Sequence, residues 1–66
     1  MQLIINGQPQ TVQEGLSLSD LIAQLYMKTE RVAVERNGVI VPRNDWPQTT
    51  LQSGDRLEIV HFVGGG

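Results

Sequence analysis

There is no cysteine among the 66 residues of this chain, which excludes disulfides, thiolate metal sites and a thiol nucleophile. One histidine, His61, leaves none of the usual zinc constellations without cysteine beside it. Basic residues are few and scattered: Lys28, Arg31, Arg36, Arg43 and Arg56 form no stripe able to neutralise phosphates. Nucleic acid is therefore not an expected partner. No glycine-rich loop followed by lysine is present to cradle a nucleotide. The acids Glu14, Asp20, Glu30, Glu35, Asp45, Asp55 and Glu58 show no paired spacing suited to acid–base catalysis. No stretch approaches the ~20 apolar residues of a membrane-spanning helix, and the start lacks a basic-then-apolar leader pattern. A cytoplasmic protein that is not itself an enzyme, with no metal and no stably bound cofactor, is the expectation.

What is present describes a small folded domain. At 39% hydrophobic and 18% charged residues the chain is too apolar to be disordered. A chain of this length buries only about 60% of its unfolded surface, enough for one core layer and not for a deep cleft. One domain over residues 1–63 is expected, followed by a flexible glycine tail at 64–66.

The element pattern is readable along the chain. Gln2 to Ile5 predicts a strand and Asn6-Gly7 a tight hairpin turn. Gln8 to Gln13 predicts the returning strand, with Pro9 tolerable on a sheet edge. Ser17, with Asp20 three residues on, marks a helix start. Leu16 is placed to pack against Leu21 as a hydrophobic staple. Leu18, Leu21, Ile22 and Leu25 share one helical face, so a helix is predicted from Leu18 to Tyr26 or Met27. Val32–Arg36, a second Asn-Gly turn at Asn37-Gly38, and Val39–Val41 predict another hairpin. Arg43 to Gln48 reads as a turn-rich crossover, and Ser53-Gly54-Asp55 as a tight turn feeding a last strand, Arg56 to Val63. With the first and last strands side by side and the helix across one face, this is an α+β chain of β-grasp type with a mixed sheet of four to five strands. Other α+β arrangements fit the same string of elements.

Strand alternation assigns the faces. Glu58 is costly to bury unpaired, so it marks the side it shares with Val60 and Phe62 as the open face, and leaves Leu57 and Ile59 for the core. In the first strand Leu3 and Ile5 then face inward and Ile4 outward. Ile4, Val60 and Phe62 form the candidate partner-docking patch, favoured over the alternative of ordinary sheet residues half-covered by long neighbours. His61, on the Leu57 side, is expected to be partly buried and hydrogen-bonded. Trp46 is expected to cap the core, and Arg43 to be a solvated loop residue.

The chain closes on Gly64-Gly65-Gly66. Glycine loses more backbone entropy on ordering than any other residue, so three in a row suit a free tail. Extended, they reach roughly 10 Å, enough to carry the Gly66 carboxylate into a partner's narrow active site. On these residues alone a frayed terminus accounts for the tail as well.

Three stretches carry a resemblance: Met1-Gln2-Leu3-Ile4-Ile5-Asn6-Gly7; Val34-Glu35-Arg36-Asn37-Gly38 with Val41-Pro42-Arg43 and Trp46; and the whole run from Gly54 to Gly66. Over its full length the chain resembles the ThiS family, the sulfur carriers of thiamin thiazole biosynthesis in the ubiquitin-like β-grasp group. The resemblance implies that an E1-like adenylating enzyme (the ThiF type) activates the Gly66 carboxylate with MgATP, Gly64 and Gly65 lying in a channel too narrow for side chains. A cysteine desulfurase or other sulfur donor would then convert it to a thiocarboxylate, which passes its sulfur to thiazole synthase (the ThiG type). The small subunit of molybdopterin synthase, a prokaryotic ubiquitin-like modifier, and a plain β-grasp interaction module are the alternatives.

Overall fold

The computed structural model describes residues 1–25 and 31–62. Strands β1 (Gln2–Ile5) and β2 (Gln8–Thr11) form an antiparallel hairpin. Its turn residues Asn6 and Gly7 both lie at positive φ, 51° and 81°, the mirror-image turn whose twist matches that of its strands. Pro9 sits opposite Ile4 on the edge strand. The Val12 N–H donates to the Met1 carbonyl, and alternation from that bonded pair turns the Pro9 nitrogen away from β1, where no N–H is needed.

Helix α1 (Leu18–Leu25) starts as expected, with the Asp20 N–H donating to Ser17 Oγ at 3.0 Å. Leu18, Leu21 and Ile22 are buried, but Leu25 is 39% exposed, so the apolar stripe leaves the core in the last described turn. The expected end at Tyr26 or Met27 lies outside the described residues. Leu16 is buried in the same cluster as Leu21.

The second hairpin joins β3 (Val32–Arg36) to β4 (Val39–Ile40) through Asn37 and Gly38, at φ 52° and 85°. The segment read as irregular, Arg43–Gln48, is a 3₁₀ helix. It carries Trp46 into the core at 3% exposure, with Nε1–H donating to the Val41 carbonyl at 3.0 Å. Arg43 is exposed, as expected, but it is anchored rather than freely solvated. Its guanidinium lies 5.3 Å from the centre of the Trp46 ring and donates to the Val32 carbonyl at 2.9 Å, so cation–π attraction and a backbone acceptor hold it on the tryptophan.

The last strand, β5 (Arg56–His61), enters the middle of a five-stranded sheet of order β2-β1-β5-β3-β4. It runs parallel to β1 and antiparallel to β3. The parallel pair needs a crossover on one face, and α1 supplies it. The helix and the inward side chains Leu3, Ile5, Val32, Val34, Leu57 and Ile59 close the core.

Candidate functional site

The chain reaches its glycine tail through β5, so the surroundings of that strand define the site. Backbone bonds from Asn37 N–H to the Arg56 carbonyl and from Phe62 N–H to the Arg31 carbonyl, both 2.7 Å, fix its pairing with β3. On the other side the Asn6 N–H donates to the Leu57 carbonyl, and beyond that β1 turns away. The Asn6 side chain then takes over, its Oδ1 accepting the Ile59 N–H at 2.7 Å and its Nδ2 donating to the Ile59 carbonyl at 3.2 Å.

The face opposite the helix carries Arg56, Glu58 and Val60 of β5, with Phe62 following. Val60 and Phe62 are 52% and 54% exposed, as the alternation rule required. Ile4 is on the same face but only half-exposed, and it pairs with Arg56. At 3.3 Å per residue it therefore lies about 13 Å short of Val60 along the strand, with Glu58 between them. The structure joins Val60 to a different set instead. Ala33 is directly across from it, and the neighbouring row reads Ile40, Glu35, Glu58. These side chains line a shallow apolar hollow. Ile40, 69% exposed, has no face legible in the sequence, because the run Val39-Ile40-Val41 is apolar throughout and carries no alternation. The strand itself ends at Ile40, one residue short of the expected Val41.

His61 corrects one expectation: it is exposed and not partly buried. It pairs with buried Val32, yet β1 ends its pairing with β5 at Leu57, so no neighbouring strand covers His61 from that side.

At the start of β5, Asp55 is the one charged side chain buried among the described residues, at 6% exposure. Its Oδ2 accepts the Arg36 Nε–H at 2.9 Å and the Gln52 N–H at 2.8 Å, and its Oδ1 accepts the Asn37 amide at 3.1 Å. Burial by itself would raise the Asp55 carboxyl. The Gln52 N–H, the Asn37 amide and the Arg36 guanidinium outweigh it and hold the group below its ordinary value. Asn37 also accepts the Arg56 N–H at 2.9 Å. Each hairpin asparagine thus grips β5 from its own side. In the sequence both asparagines stand out only as turn formers; a polar residue at a tight turn beside the central strand is the one signal of the second role.

Among the described residues no group of three or more histidine or acidic side chains could hold a metal ion, and no helix is long and apolar enough to cross a membrane. The proposed tail residues Gly64, Gly65 and Gly66 lie outside the described residues.

The ThiS family profile matches residues 3–66. The chain is 32% identical to the sulfur carrier protein ThiS of Escherichia coli (strain K12), over the whole of both chains. It is 41% identical over its whole length to a thiazole synthase of Paramagnetospirillum magneticum, but spans only 20% of that longer protein. Among solved structures, the crystal structure of a thiamine biosynthesis protein (ThiS) from Geobacter metallireducens superposes with a TM-score of 0.85 at 39% identity, all of both chains covered.

Proposed function

From the premise that this chain belongs to the ThiS family, we propose that it carries sulfur for thiamine biosynthesis as a thiocarboxylate on Gly66. The observation that carries this reading is the end-to-end match to a sulfur carrier protein of equal length. Residues 1–63 form the folded body in this proposal, and 64–66 the arm that enters a partner.

The chemistry follows from what the chain has. It contains no cysteine, so sulfur must ride on the backbone terminus. An α-carboxylate, with an ordinary pKa of about 3.3–3.7, is ionised at neutral pH and resists nucleophiles. Adenylation makes it an electrophile: a carboxylate oxygen attacks the α-phosphorus of ATP and pyrophosphate leaves. If the donor delivers sulfide, its attack at the acyl carbon expels AMP and gives the thiocarboxylate directly. A persulfide from a cysteine desulfurase expels AMP to give an acyl disulfide, from which a thiol reductant releases the thiocarboxylate as the thiol and the donor sulfur form a disulfide. Mg²⁺ and the cationic groups that offset phosphoryl charge belong to the E1-like adenylating enzyme, for which MgATP is the substrate. Gly64 and Gly65 offer no side chain to obstruct its channel. Thiazole synthase is the proposed recipient, supported by the occurrence of a domain like this one within chains of that name. All of this is assigned to the cytoplasm, where these enzymes would act.

The test is high-resolution mass analysis after incubation with the cognate adenylating enzyme, ATP and a sulfur source. Oxygen-to-sulfur exchange has the same nominal mass gain as oxidation of Met1, Met27 or Trp46, so fragmentation must place it. Sulfur on Gly66 is the expected result. An unmodified terminus beside a demonstrably active enzyme would overturn the proposal in favour of the modifier or the interaction module.

A further inference from the structure

Glu35 of β3 and Glu58 of β5 stand directly opposite each other on the open sheet face. Alternation from the bonded pairs Arg31–Phe62 and Asn37–Arg56 makes theirs a hydrogen-bonded pair, with Cα atoms about 5.5 Å apart. Neither carboxylate has an ion-pair or side-chain hydrogen-bond partner among the described residues. Arg56, two residues before Glu58 on the same face, forms no ion pair with either. Like charges placed this way oppose folding; Arg56 borders the same hollow as both acids and offsets part of that repulsion without bonding to either.

On the side away from Arg56 and Asn37 their surroundings are apolar. Ile40 flanks Glu35 on one side, and Ala33 and Val60 form the next row. Two acids set in an aliphatic hollow complement a long side chain with an apolar stem and a cationic, forked head, and arginine has that form. A phosphate-bearing surface would meet repulsion here. So would a second copy of this chain docking face to face, since it would bring four carboxylates together.

We infer that this face docks a partner protein through an arginine whose guanidinium lies between Glu35 and Glu58 and whose stem covers Val60 and Ile40. The inference rests on the proposed carrier role and supplies the chemistry by which a partner enzyme recognises the carrier. The two acids are specificity determinants, only partly offset on the free protein by Arg56 beside them.

The cognate adenylating enzyme and thiazole synthase, each purified, are the probes, with affinity for the full chain measured by calorimetry at low and high salt. The wild type is expected to bind at least one, less tightly as salt rises. In the Glu35→Gln/Glu58→Gln variant that affinity drops about tenfold or more and its salt dependence flattens, while the free variant melts at a higher temperature. Unchanged affinity for both enzymes overturns the inference and leaves the proposed function standing. A variant that binds weakly but also melts lower overturns it as well, because the acids would then be structural. A wild-type dimer strengthened by the double substitution assigns the face to a second copy, against the inference. A wild type that binds neither enzyme overturns the proposed function together with the inference.

Discussion

The side-chain amide of Asn6 occupies both backbone groups of Ile59, accepting its N–H at 2.7 Å and donating to its carbonyl at 3.2 Å. It serves as one more residue of β1 at the point where the real β1 has turned into its hairpin. Two such bonds contribute about 1–3 kcal/mol. Asn6→Gly removes the amide while suiting the φ of 51°, so a loss in that range in urea unfolding is expected. Asn6→Ala should lose about 1 kcal/mol more, because the left-handed conformation opposes a Cβ. A glycine variant as stable as the wild type would show that the amide contributes nothing.

Asp55 predicts a pH dependence with a definite sign. Its carboxyl is held below the ordinary value in the folded protein, so the unfolded chain takes up the proton first as pH falls. The stability from this group is therefore complete above the unfolded pKa, about 3.9, and is lost as acid carries the pH down through the folded value. Asp55→Asn should cost about 1–3 kcal/mol at neutral pH, since the Arg36, Asn37 and Gln52 donors lose a charged acceptor. It should also flatten the stability profile below pH about 4. An unchanged acid limb in chemical denaturation at a series of pH values would contradict the assignment.

Much of this architecture is readable from residue types, and the reasons are local. A carboxylate at 58 in an apolar strand has only one inexpensive orientation, and that settled the faces of β5 and, through it, of β1. The two Asn-Gly pairs announce turns that require positive φ at both positions. What escaped reading depends on distant partners. Asp55 looks like any turn acid until Arg36 and Asn37 are brought beside it. The exposure of His61 depends on where a strand 50-odd residues away stops. The 3₁₀ helix at Arg43–Gln48 carries a proline that reads as a breaker.

Phe62 is 54% exposed at the end of β5. Phe62→Asp should leave the melting temperature within about 2–4 °C of the wild type, as for a surface change of under 0.5 kcal/mol in a domain this small. It should weaken binding to the adenylating enzyme about tenfold or more, the effect of truncating an exposed aromatic anchor. An unfolded variant in circular dichroism would show that the ring belongs to the core.

Removing Gly65 and Gly66 should abolish sulfur acceptance in the mass assay while thermal unfolding of the two forms coincides. Truncation that lowers the melting temperature would show that the glycines pack against the body.

The placement of β5 also has a mechanical consequence. A pull applied beyond residue 62 along the axis of this strand would load it in shear. Because β5 lies between β1 and β3, and its backbone bonds run across the direction of pull, the load falls on many of them at once. An edge strand peeled sideways would yield one bond at a time. Under the proposed function, a body held this way would resist unravelling when its arm is pulled.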